Sequence, residues 1–120
     1  MDLNEASALV TGAGRGIGRA VALALAREGV AVTAVSRTAA DLNSLVEEIE
    51  AAGGRGCAFA GDVRDPSVSA GAVATTVDRF GGLQILVNNA GVGAFSNVAD
   101  TTDEDWDRVI STNLTAVFRV

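Results

Sequence analysis

Thr11-Gly12-Ala13-Gly14-Arg15-Gly16-Ile17-Gly18 is the stretch on which the reading of this chain turns. It follows a short apolar run, about Ala6–Val10. It opens a segment in which Ile17, Ala20, Val21, Ala24 and Leu25 recur at helical spacing and are expected inward, with Gly29 as the stop. A strand that enters a helix through a glycine-rich turn lets backbone N–H groups and the positive end of the helix come close to an anion. An ordinary turn with packing glycines is the plainer alternative. Glycines at the alternate positions 12, 14, 16 and 18, between a strand and a helix, favour a turn that cradles a pyrophosphate.

Outward from this turn, short β-branched runs alternate with longer helical patterns, which points to successive βαβ units, a parallel sheet and helices on both of its faces. The second strand is Val30–Ser36, apolar almost throughout as a strand covered on both faces should be. Thr38 then caps a helix with Leu42, Leu45, Val46 and Ile49 inward, ended by Gly53 and Gly54. The third strand is Gly56–Ala60. Asp65 and Pro66 read as the N-cap and first residue of a helix with Val68, Val73, Val77 and Phe80 inward, and Gly81 and Gly82 lead into a fourth strand, Gln84–Asn88. Thr101 and Glu104 have capping-box spacing before a last helix, whose inward face reads Trp106, Val109, Ile110, Asn113, Leu114, Val117 and Phe118.

The 120 residues suit one domain, and 48% apolar against 20% charged residues fits a packed α/β domain and argues against a disordered tail. A net charge of −6, without interleaved basic and aromatic residues, argues against a nucleic-acid partner. No basic leader precedes an apolar run and no apolar stretch reaches membrane-spanning length, so the expectation is a cytoplasmic protein without a membrane partner. Cys57 is the single cysteine and reads as a core thiol, and no metal-ligand set is present. There is no histidine or tyrosine, and all nine basic residues are arginines.

The spacing Gly12-x-x-x-Gly16-x-Gly18 behind Thr11 differs from the common Gly-x-Gly-x-x-Gly fingerprint and resembles the short-chain dehydrogenase/reductase family. Asn88-Asn89-Ala90-Gly91 looks like that family's Asn-Asn-Ala-Gly segment, and Asp62-Val63 like its adenine-contacting pair. The matches run along the whole chain in order. They resemble the cofactor-binding half, with 3-oxoacyl-acyl-carrier-protein reductases nearest in pattern. The resemblance implies an α/β fold: a three-layer, Rossmann-like, doubly wound parallel sheet of about four strands in the order 3-2-1-4.

It also implies a nicotinamide dinucleotide lying across the carboxyl ends of the strands. Gly12, Gly14, Arg15, Gly16, Ile17 and Gly18 would surround the pyrophosphate. Asp62 would accept from the adenine amino group while the Val63 N–H donates to the ring, the alternative being a solvated loop carboxylate. Asn89, Ala90 and Gly91 would line the ribose and nicotinamide side, or form a turn held by side-chain to backbone hydrogen bonds. At the end of the second strand stand Ser36 and Arg37 in place of the carboxylate that would receive a ribose 2′-hydroxyl. A guanidinium there grips a 2′-phosphate, with Arg15 as a second charge, so NADP(H) is expected over NAD(H).

Asn113 matches the asparagine of the family's Asn-Ser-Tyr-Lys catalytic group, whose tyrosine and lysine types are absent from all 120 positions. The expectation is therefore the NADP(H)-binding portion of an oxidoreductase acting on a carbonyl or secondary alcohol, incompetent for catalysis by itself. A non-catalytic NADP(H)-binding or oligomerisation module, and one half of a split enzyme, are the alternatives. The fourth strand is expected to leave an apolar edge and the last helix an apolar face, which favours a homo-oligomer. Light scattering at tens of micromolar should then report a dimer or larger species, and a monodisperse monomer would contradict it.

Overall fold

Small and β-branched residues over Ser7–Thr11 form β1, every residue of which is buried. A computed structural model describes residues 2–90 and 102–110 of the chain. After β1 come α1 (Gly16–Arg27), β2 (Ala31–Ser36), α2 (Ala39–Ala51), β3 (Gly56–Ala60), α3 (Pro66–Phe80), β4 (Ile85–Val87) and α4 (Asp103–Ile110). The four strands make one parallel sheet in the order β3-β2-β1-β4. Thr11 pairs with Val35, Ser36 with Ala60 and Val10 with Val87, so the carboxyl ends of all four strands fall along one edge.

The expected third strand matches β3 at both ends, while β1 starts and finishes one residue later than expected and β4 keeps only the middle of Gln84–Asn88. Asp65 caps α3 as expected, its carboxylate accepting from the Ser67 N–H at 2.9 Å, with Pro66 in the first turn. Thr38 occupies the N-cap of α2 but makes no side-chain cap bond. The cap at α4 involves Thr102, whose hydroxyl accepts from the Asp105 N–H at 3.0 Å. Thr101, the side chains of Trp106 and Val109, and Asn113, Leu114, Val117 and Phe118 lie outside the described residues.

Alternation along the strands divides the core into two halves. Ala8, Val10, Val32 and Ala34 face α1 and α2, packing with Leu42, Leu45 and Ile49 of α2 as expected. Leu9 and Val35 face the other way, with Ala72 of α3 and Val63. The inward faces of α1 and α3 differ from expectation. In α1 the buried residues are Gly18, Ala22 and Ala26, and Ile17 is 76% exposed. In α3 they are Ser69, Ala72 and Thr76, with Val68 and Val73 flanking and Val77 43% exposed. Small residues win these positions because the helices lie close to the sheet: a Cβ on Gly71, for example, would stand 2.6 Å from the Phe59 ring.

A buried polar chain explains the α3 face. Thr76 Oγ1 lies 2.8 Å from both the Ala72 carbonyl and Thr33 Oγ1, and Thr33 Oγ1 lies 3.2 Å from Cys57 Sγ. A carbonyl only accepts, so one consistent proton order runs from Cys57 to Thr33, Thr33 to Thr76 and Thr76 to Ala72, with each group satisfied once. Cys57 is thus the core thiol expected of it. Thr76→Val, which keeps the volume and breaks the chain, is expected to cost about 1–2 kcal/mol. Val77→Ala, at a position expected inward from the sequence but found exposed, should cost about 0.5 kcal/mol or less. Urea unfolding of the two variants measures both.

Candidate functional site

The groove at the carboxyl edge is built by one hydroxyl. Thr11 ends β1 with a side chain only 2% exposed, and its Oγ1 accepts from the backbone N–H groups of Asn89 and Ala90, each at 3.1 Å, while it donates to the Val87 carbonyl at 3.4 Å. The chain leaving β4 is thereby drawn against the turn leaving β1. The Asn89 side chain completes the join by donating from Nδ2 to the Gly12 carbonyl at 3.2 Å. Two glycines permit this approach. Gly12 has φ +62° and a Cβ there would lie 2.9 Å from the Ala90 Cα, while a Cβ on Gly18 would collide with the Gly12 carbonyl oxygen and Asn89 Nδ2.

Beside this join lies a groove of about 400 Å³. The β1–α1 turn contributes Gly12, Gly14 and Arg15; the end of β2 contributes Ser36 and Arg37; the segment after β3 contributes Asp62 and Val63; Ala90 closes the far side. These are eight of the residues expected at the site. Gly16, Ile17, Gly18 and Asn89 are not among the lining residues; Ile17 is exposed to solvent, and Gly18 and Asn89 act through the join just described. Gly91 and Asn113 lie outside the described residues. Thr38, Asp41, Gly61, Arg64 and Arg108 also line the groove and were not anticipated from the sequence. Arg64, two residues from Asp62 on a short loop, was the one open to local inspection. Asp41 is brought in only by the packing of α2 beside α1.

The N-terminal end of α1 is available to an anion. Its N-cap residue is Arg15, in an extended conformation, and the Arg15 side chain makes no cap hydrogen bond. The first-turn donors and the helix dipole are therefore not compensated by an N-cap side chain, at a turn whose Gly12, Gly14 and Arg15 line the groove. A chain with six more acidic than basic residues places four arginines, Arg15, Arg37, Arg64 and Arg108, against two aspartates, Asp41 and Asp62, around this one hollow. A larger hollow of about 750 Å³ at the opposite end includes Glu28 and Ala52, the C-terminal caps of α1 and α2. Helix carbonyls gather at such ends, which disfavours an anion. The smaller groove is the one suited to a polyphosphate.

Asp62 is not a free loop carboxylate. Arg64 holds it through Nε at 3.1 Å to Oδ1 and 2.9 Å to Oδ2, through Nη2 at 2.6 Å to Oδ2, and through its backbone N–H at 2.9 Å to Oδ1. The Arg64 side-chain bonds in the first place hold the Asp62 carboxyl below its ordinary range, against an opposing effect of burial, and Arg37 adds a smaller attraction. Arg37 itself is exposed and forms no side-chain hydrogen bond or ion pair with the described residues. Arg15 is paired with Asp41 at 2.9 Å. Among the described residues no group of three or more metal-ligating side chains occurs, and no helix is long and apolar enough to cross a membrane.

Comparison with known proteins agrees with this architecture. The family described as short chain dehydrogenase matches residues 6–120. Versicolorin reductase 1 of Aspergillus parasiticus is 46% identical over 116 residues, covering 94% of this chain and 44% of that protein. A 3-ketoacyl-ACP reductase from Sinorhizobium meliloti superposes with a TM-score of 0.91 at 44% identity, covering 94% of this chain and 45% of that one. An actinorhodin polyketide ketoreductase variant solved with NADPH gives a TM-score of 0.92 at 39% identity, covering 98% of this chain and 45% of that one. The chain belongs to the short-chain dehydrogenase family. It spans about 44% of the length of the curated relatives it matches.

Two expectations follow from the site. Thr11→Val leaves two backbone donors without their acceptor and should destabilise the fold by about 2–4 kcal/mol, with Thr11→Ser recovering most of the loss in chemical denaturation. The second concerns acid. A carboxyl whose folded pKa is depressed contributes stability above its unfolded pKa and loses it as the pH falls through the folded value. Asp62→Asn should therefore lower the unfolding midpoint at neutral pH, and variant and parent should converge as the pH falls through the depressed folded value, in thermal melts across a pH series.

Proposed function

We propose that this chain holds a nicotinamide dinucleotide in the carboxyl-edge groove, with NADP(H) preferred to NAD(H), as the cofactor-binding portion of an oxidoreductase acting on a carbonyl or secondary alcohol. The observation that carries the reading is the uncapped N-terminus of α1, set behind a glycine turn in a groove lined by four arginines. The pyrophosphate would rest on the N–H groups at the start of α1. Adenine would lie against Asp62 and Val63, with Arg64 fixing the plane of the Asp62 carboxylate. The ribose and nicotinamide side would run along Ala90 towards Gly91.

Arg37 would take the 2′-phosphate at the end of β2, its guanidinium forming no hydrogen bond or ion pair with the described residues. The NADPH bound in the actinorhodin ketoreductase relative supports the same direction. When bound, the reduced cofactor supplies a hydride. Asn113 would take the relay position of the catalytic asparagine. These 120 residues include no tyrosine, lysine or histidine, so the proposal assigns them cofactor holding and no proton transfer to substrate. Self-association along the edge of β4, where Leu86 is 41% exposed, belongs to the same reading.

A thermal-shift titration with NADPH, NADH and S-adenosylmethionine tests it, since a ligand that binds only the folded chain raises Tm with its concentration over Kd. NADPH should stabilise most and S-adenosylmethionine not at all, and Arg37→Ala should weaken NADPH by about tenfold with little change for NADH. Equal stabilisation by NADPH and NADH would remove the case for Arg37. Stabilisation by S-adenosylmethionine alone would replace the functional reading.

A further inference from the structure

Arg15 and Asp41 meet from different helices at the end of the groove where β2 finishes. Arg15 caps α1, Asp41 lies in the first turn of α2, and Arg15 Nε donates to Asp41 Oδ2 at 2.9 Å. Ser36 is beside them: a Cβ on Gly14 would stand 3.0 Å from Ser36 Oγ and 3.2 Å from the Asp41 Cβ. The two partners are held unequally. The Asp41 main chain is tied down, its carbonyl accepting from Arg19 Nη1 at 3.3 Å while Arg19 Nη2 reaches Glu48 at 2.8 Å further along α2. The Arg15 side chain is 81% exposed against 31% for Asp41, and its terminal nitrogens bond none of the described residues.

An ion pair with so exposed a member is worth little in water and is easily exchanged. We propose that Asp41 is a specificity-determining residue that competes with the cofactor's 2′-phosphate for Arg15. The inference rests on the dinucleotide reading above. With a 2′-hydroxyl in the site, Arg15 stays on Asp41 and the pair is neutral, leaving Arg37 as the uncompensated charge at this end of the groove. With a 2′-phosphate, Arg15 leaves Asp41 for the stronger anion, and the carboxylate left behind repels that same phosphate. Both effects act against NADPH and neither acts against NADH. Asp41 therefore narrows the preference that Arg37 and Arg15 create.

Kd values for NADPH and NADH, measured by calorimetry on the parent, Asp41→Asn, Asp41→Glu, Arg15→Ala and Arg15→Ala/Asp41→Asn chains, test this directly. Asp41→Asn should tighten NADPH about three- to tenfold and leave NADH within about twofold, a gain that shrinks as salt is raised. Asp41→Glu should stay near the parent, and the gain should be smaller once Arg15 is gone. Asp41→Ser serves as a second neutral variant, should Asp41→Asn fold poorly. Unchanged or weaker NADPH binding in the neutral variants, or equal changes for both nucleotides, would overturn the role of Asp41 while leaving the dinucleotide site standing. A parent chain that binds neither nucleotide would overturn the site and this proposal with it.

Discussion

The buried hydroxyl of Thr11 is the contact on which the groove depends. It sits at the last residue of the central strand and engages three backbone groups of the segment leaving β4, two as donors to it and one as acceptor from it. Without it the turn after β1 and the chain after β4 would each have to satisfy buried polar groups elsewhere, and the Asn89 bond to the Gly12 carbonyl would have to hold the two segments together alone. The glycines then follow as a consequence of closeness. Gly12 has no room for a side chain beside Ala90, and Gly18 has none beside the Gly12 carbonyl. The turn that results sets the start of α1 at the rim of the groove with its N–H groups uncapped.

Charge is arranged on the same plan. The chain is acidic overall, yet four of its nine arginines converge where the strand ends converge. Their commitments differ: Arg64 clamps Asp62 through both carboxylate oxygens, Arg108 stands 3.6 Å from Asp105, Arg15 touches Asp41 through a single nitrogen, and Arg37 forms no hydrogen bond or ion pair with the described residues. A groove with one fixed, one exchangeable and one unengaged guanidinium can orient a neutral base at one end and receive extra negative charge at the other. Parallel strands make this possible because their carboxyl ends, and the helix N-termini that follow, lie at the same edge.

The sheet was legible in the sequence because buried parallel strands are written as compact apolar runs between glycine stops, and β3 was delimited correctly by Gly56 and the Gly61-Asp62 exit. Helix faces were less legible. Periodicity weights large apolar residues, so it assigned Ile17 and Val77 to the core, whereas packing close to the sheet selects Gly18, Ala22 and Ala26 in α1 and the polar Ser69 and Thr76 in α3. Of the site, the glycine turn, Arg37, Asp62 and Ala90 were readable because each sits at a strand end. Asp41 was not, since nothing local ties it to Arg15, 26 positions away in the chain. Asn89 was read as a groove residue but lies behind the lining, where its side chain joins the two strand ends.

The most direct measurement is an amide chemical-shift map of the isotope-labelled chain titrated with NADPH. A single ligand lying across four strand ends should move the amides of Gly12–Gly18, Ser36, Arg37, Asp62, Val63 and Ala90 together, along one saturation curve, and leave Asn4, Gly29, Gly53 and Arg55 at the opposite edge unmoved. Shifts gathered around Gly29, Gly53 and Arg55, or confined to one strand end alone, would contradict the account.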